Sequence, residues 1–115
     1  MPKVKALRPD NIGYTYMMMH KIITILEAKV EDKKWDALQQ AYRGIERKSG
    51  QPWPVLSYLL QMKDNPRLWR IVTVWESIEV LQKVRSSGET PPGILVFRAA
   101  GAEPTLSIFE AKEEL

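Results

Sequence analysis

Few residues in this chain are of types that do chemistry. His20 is the single histidine and stands just ahead of the apolar run "KIITILEAKV". Imidazole titrates near neutral pH, so His20 could act as a general base; an exposed residue at a strand end is the plainer reading of that position. Arg85 falls seven residues after Ile78 and four after Leu81, on the same helical face. It could bind an anionic oxygen there, or snorkel to the helix end and pair with a carboxylate. Arg98, directly after "ILVF", carries the same two readings. With no cysteine there is no disulfide, thiolate metal site or cysteine nucleophile. One histidine and scattered carboxylates make a metal site an unpromising expectation. There is no Gly-rich phosphate loop, dinucleotide fingerprint or Ser-His-Asp arrangement.

The elements that must position these groups are read from periodicity. "HKIITILEAKV" is apolar on both parities, with Ile22, Thr24, Leu26 and Ala28 on one side and Ile23 and Ile25 on the other. That predicts a strand covered on both faces. In "EDKKWDALQQAYRGIERKSG", Trp35, Leu38, Tyr42 and Ile45 recur at helical spacing and predict a helix closed by Gly50. After "QPWP", "VLSYLLQMK" and "RLWRIVTVWE" predict two strands joined by the "DNP" turn, Asp64 to Pro66. The third strand would point Trp69, Ile71, Thr73 and Trp75 to one face and Arg70, Val72, Val74 and Glu76 to the other. Ser77 is an expected N-cap for a short helix with Ile78, Leu81 and Val84 inward, and Gly88 is its expected terminator. Residues 89–104 read as a long Pro- and Gly-rich connection whose "ILVF" must pack on something. "TLSIFEAKEEL" alternates as a closing strand.

The order β-α-β-β-α-β predicts an α+β, ferredoxin-like fold: a four-stranded antiparallel sheet with both helices on one face. Two helices cover one face only, whereas the strands are apolar on both. A second copy on the open face would resolve this, so a homodimer through the sheet face is expected. Residues 1–19, with two prolines, a glycine and no sustained period, read as an N-terminal arm outside a single domain of residues 20–115. The run Met17–Met19 suggests either an internal start or a segment lying on a partner.

Bulk composition agrees with one globular domain. The chain has 115 residues, 44% apolar and 27% charged, with a formal net charge of +3. Residues 1–57 carry ten Lys/Arg against six Asp/Glu, and residues 58–115 carry seven against eight. That is a solvated surface with a small basic excess and not the dense basic stripe that nucleic acid requires. No apolar run approaches the ~20 residues of a membrane span. Lys3, Lys5, Arg8 and Asp10 precede no apolar core followed by small residues, so no secretory leader is expected. The expected setting is the cytoplasm.

The strand ending "VTVWES" and running into "IEVLQKV", together with the element order and the two-sided strands, resembles the antibiotic biosynthesis monooxygenase domain of the dimeric α/β-barrel superfamily. The resemblance spans roughly residues 20–115. It implies a ligand cleft between helices and sheet, no cofactor, and a monooxygenase acting on an aromatic or quinol-type small molecule. The alternative it leaves open is a non-catalytic ligand-binding or oligomerisation module of the same fold. The heme-degrading members carry a second tryptophan where this chain has Val84 and an asparagine where it has Leu26–Glu27. Their histidine, further down the second helix, has no equivalent here. Heme degradation is therefore disfavoured. Oxidising a phenol needs a pocket that deprotonates it and shields the anion, and the ligand-cleft candidates for that work are Tyr58, Trp69, Trp75, Arg85 and Arg98. Catalytic residues are not assigned. For Trp75 a packing role is preferred, since aromatic residues on strand faces are mostly core.

Overall fold

The computed structural model describes residues 20–115. The expected N-terminal arm and the Met17–Met19 run lie outside the described residues. Four strands, β1 (Ile22–Lys29), β2 (Leu56–Gln61), β3 (Leu68–Trp75) and β4 (Thr105–Glu110), form one sheet in the order β2-β3-β1-β4. Every neighbouring pair is antiparallel. A short 3-10 turn (Asp32–Lys34) leads into α1 (Trp35–Arg43), and α2 (Ile78–Ser86) and α3 (Pro92–Ala99) lie between β3 and β4. This is the expected α+β, ferredoxin-like sheet, with one helix more than the sequence predicted.

The additional helix falls in residues 89–104, expected to be a connection. Pro91 and Pro92 open α3. Proline is tolerated in a first helical turn, because its missing N–H would find no partner there and its φ is already helical. The proline-rich stretch is therefore a helix start. The "ILVF" run packs inward, as its composition required: Phe97 is 0% exposed and Val96 is buried beside it. Gly93 brings the first turn of α3 against β1, for a Cβ there would lie 2.7 Å from Leu26 Cδ1.

The first helix is shorter than its apolar stripe. It stops at Arg43, and Gly44 closes it with its N–H on the Gln40 and Ala41 carbonyls. Gly50 is not its cap; its φ of 77° serves a later turn, in which Gln51 N–H bonds the Lys48 carbonyl at 3.1 Å. Ile45 still packs on the core from beyond the helix end. Ser77 caps α2 as expected, its Oγ accepting from Val80 N–H at 3.3 Å, and Gly88, with φ 84°, follows the helix end.

Register sorts the sheet into two faces. Toward the helices point Ile22, Thr24, Leu26 and Ala28 of β1 and their partners Trp75, Thr73, Ile71 and Trp69 of β3. The core gathers at one end of this face, where Leu26, Ala28, Trp69 and Ile71 meet Leu38 of α1 and Val96, Phe97 and Ala100 of α3. The opposite face carries Leu56, Tyr58 and Leu60 of β2, Val72 and Val74 of β3, Ile23 and Ile25 of β1, and Phe109 of β4. Leu56, Tyr58, Leu60 and Phe109 are exposed. Both faces are thus apolar, and no helix covers the second. Replacing Phe97 with Ala is expected to cost about 3–5 kcal/mol, the usual range for emptying a buried aromatic site. It would be read as a lower urea midpoint at unchanged m-value.

Candidate functional site

Beyond the core, the helix-facing side of the sheet changes character. One step along the ladder from Leu59, Ile71 and Leu26 stand Ser57, Thr73 and Thr24, side by side on β2, β3 and β1. Thr24 and Thr73 are 8% and 9% exposed. A buried hydroxyl must find a partner, since leaving it unpaired costs on the order of 1–3 kcal/mol. The neighbouring elements supply partners at both ends. Tyr42, on the inner stripe of α1, places its hydroxyl 2.8 Å from Ser57 Oγ, which is 3.5 Å from Thr73 Oγ1. At the other end the Trp75 indole Nε1 donates to Thr24 Oγ1 at 3.0 Å. The result is a row of neutral hydroxyls flanked by a half-buried indole, with α2 packing on β3.

One step further lies the row Trp75, Ile22 and Glu110. His20, two residues before Ile22, reaches this end: its Nδ1 is 3.2 Å from Glu110 Oε2. Its side chain is 17% exposed, so it is not the exposed strand-end residue expected from sequence. The other Glu110 oxygen accepts from Lys112 Nζ at 2.7 Å. The hydrogen bonds from Lys112 and then His20 hold the Glu110 carboxyl below its ordinary pKa.

The sequence-predicted candidates are not gathered in one place. Trp75 lies on the helix side beside the hydroxyls. Trp69 shares that face but is buried in the solid core, edge-on to Trp35 with ring centroids 6.0 Å apart. Its indole N–H meets no acceptor among the described residues. Tyr58 belongs to the opposite face of β2, 55% exposed, because it alternates with Ser57 and Leu59. Arg85 is exposed on α2. Arg98 is tied down by a forked pair with Glu103, at 2.8 and 2.9 Å, and that hydrogen bonding holds Glu103 below the usual carboxylate value. Sequence reasoning missed Tyr42, Ser57, Thr24 and Thr73 as a group. The available signal was a hydroxyl on the buried parity of two strands, Thr24 and Thr73, each between apolar neighbours two residues away.

Such a row can donate to and accept from an oxygen of a neutral or phenolic ligand, and the indole offers a flat apolar wall. Among the described residues there is no group of three or more His, Cys, Asp or Glu side chains placed to hold a metal ion. No described helix is long and apolar enough to cross a membrane.

Neither a protein-family model nor a curated protein sequence matches the chain. Solved structures do. A protein from Deinococcus radiodurans, provisionally named an antibiotic biosynthesis monooxygenase, superposes with a TM-score of 0.64 at 12% identity, covering 82% of this chain and 95% of that one. A conserved protein from Methanosarcina mazei gives 0.62 at 18% identity over 86% and 99%. SnoaB from Streptomyces nogalater, described as a cofactor-independent oxygenase and solved as a point mutant, gives 0.57 at 14% identity over 83% and 96%.

The Trp75–Thr24 bond is open to a double-mutant cycle. Thr24→Val leaves the indole N–H without its acceptor and is expected to cost about 1–3 kcal/mol. Trp75→Phe in that background should then cost less than in the wild type, and equal costs in the two backgrounds would show that the bond contributes nothing. In fold, this chain is similar to proteins provisionally named antibiotic biosynthesis monooxygenases.

Proposed function

We propose that the protein is a small cofactor-independent monooxygenase that oxidises an electron-rich aromatic, a phenol or quinol, and that it works as a homodimer. The observation that carries this reading is the hydroxyl row Ser57, Thr73 and Thr24, ending in the Trp75 indole, on the helix side of the sheet. The likeness in fold to SnoaB, itself described as a cofactor-independent oxygenase, supports it. In this reaction a phenol with a ring hydrogen and dioxygen become a quinone and water. One oxygen atom replaces the ring hydrogen, the other leaves as water, and all the electrons come from the substrate. The protein's task is to hold the phenol oxygen, ease its deprotonation and keep bulk water off the resulting anion. Hydroxyls and an indole suit the holding and shielding, because they bind oxygen without adding a charge.

Oxygen uptake measured across a panel of hydroquinones and anthrone-like phenols tests the proposal. Turnover is expected for at least one compound without added metal or flavin, and silence across the panel would sink the oxygenase reading. A second reading has its own support, since Tyr42, Ser57 and Thr73 bond to one another and include no acid or base. In that reading the same row only binds. Quenching of tryptophan fluorescence by a panel compound without oxygen uptake would favour it.

The uncovered sheet face supports the dimer. Val72 and Ile25 are paired at its centre, with Tyr58 opposite Val72 on β2 and Phe109 toward β4. An apolar surface spanning four strands is larger than soluble monomers usually leave exposed. A second copy seated face to face would bury it on both sides. Light scattering is expected to give twice the chain mass of 13.3 kDa, and Ile25→Glu is expected to halve it. A wild type that runs as the monomer would refute the dimer. The absence of cysteine suits a reducing compartment, and we assign the protein to the cytoplasm.

A further inference from the structure

We propose that residues 12–19 lie back along β4 of their own chain, on the helix side of the sheet, and cover the strip that Leu106 and Ile108 leave open there. The ladder places this strip. Leu106 and Ile108 stand opposite Leu26 and Thr24 of β1, so all four side chains leave the sheet on the helix side. Leu26 and Thr24 are each 8% exposed, whereas Leu106 and Ile108 are 43% and 40% exposed. The cover that the helices give this face therefore ends at β1, and every residue of β4 is exposed. β4 is also an outer strand of the sheet, and residues 105–109 carry neither a charge nor a proline. An outer strand without those features pairs readily with other chains unless something covers it.

Three features select this segment as the occupant. The first is where it joins the sheet. Ala111 N–H bonds the Lys21 carbonyl at 2.9 Å, so the chain enters β1 directly beside the last residues of β4. The second is reach. The six residues of β4 span roughly 20 Å at about 3.3 Å each, and eight residues cover that distance after a reversal at the entry to β1. The third is composition. The segment "IGYTYMMM" holds no charge, and Ile12, Tyr14, Tyr16 and three methionines supply apolar surface. Methionine adapts to irregular apolar ground, and tyrosine can bury its ring while its hydroxyl stays in water. The charges that precede it, Lys3, Lys5, Arg8 and Asp10, all fall beyond the length of the strip. A second copy fits the strip less well. Two half-exposed side chains offer far less than the about 800 Å² per partner of a stable interface, and the opposite face of the sheet offers a second copy a larger seat. Ile108 is the outer neighbour of Thr24, so the segment would also close the β4 side of the hydroxyl row. The docking itself is a matter of packing and stands apart from the oxygenase reading.

Thiol labelling of the full chain tests the docking, helped by the absence of any native cysteine. Ile108→Cys is expected to react with a maleimide about tenfold or more slowly than Ser86→Cys on the exposed end of α2, because labelling must wait for local release of the covering segment. Adding Tyr14→Ser, Tyr16→Ser and Met18→Ser to Ile108→Cys should remove most of that difference. An Ile108→Cys variant as reactive as Ser86→Cys would overturn the proposal. So would slow labelling that survives the three serine substitutions, and slow labelling that dilution alone abolishes would give the strip to a second copy instead. Chymotrypsin gives a second reading on a chain without engineered cysteine. Cleavage after Tyr14 and Tyr16 is expected to be about tenfold slower in the wild type than in Leu106→Ser/Ile108→Ser, whose substitutions fall at exposed positions. Cleavage after Tyr58, inside β2, serves as the control for folding and should be equally slow in both. Equal cleavage of the segment in the two proteins would refute its seat on β4.

Discussion

The structure depends on the alternation of β1 between β3 and β4. Its side chains leave the strand to opposite faces, and both neighbours are registered against it residue by residue. A slip of one residue would turn Leu26 and Ala28 out of the helix-side core and bring Glu27 into it. The core formed with Leu38, Val96 and Phe97 therefore specifies the register, and the register places everything else. The order β2-β3-β1-β4 follows because β1 is the strand apolar on both parities and takes a central place.

The hydroxyl row is a consequence of that ladder. Once Ile71 is set opposite Leu26, Thr73 must stand opposite Thr24, and Ser57 must stand beside Thr73. None of these residues would be chosen to fill a core. They are accommodated because Tyr42 and Trp75 bring polar atoms to the two ends of the row. The same face thus holds a dry packing region and a polar region, divided by a single step of the ladder. Apolar side chains fill one side of that step, and hydroxyls bonded to their neighbours fill the other.

How much was legible from residues alone differs from element to element. β1, β3 and the Ser77 cap were readable because each depends on local chemistry: strand alternation for two of them, and a hydroxyl ahead of a helix for the third. The helix at Pro92–Ala99 was not, since its proline start imitates a loop and its apolar run is too short to show a helical period. Trp75 could be assigned to a strand face, but its hydrogen bond to Thr24 joins residues 51 positions apart. Tyr58 and Arg98 were plausible beside Trp75 by type. The first lies on the other side of its strand, and the second is held by Glu103. The pairing of His20 with Glu110 spans 90 positions and leaves no trace in local pattern.

By itself the sequence determined which residues form strands, which residues of β1 and of β3 share a side, and where one helix begins. These follow from a period of two, a period near 3.6 and a capping hydroxyl, all of them short-range. Only the tertiary structure decided which hydroxyls stand in one row, which aromatic ring closes it, and that the lone histidine reaches the last strand's carboxylate. Those outcomes depend on interstrand register, and register is set by the packing of the whole core together.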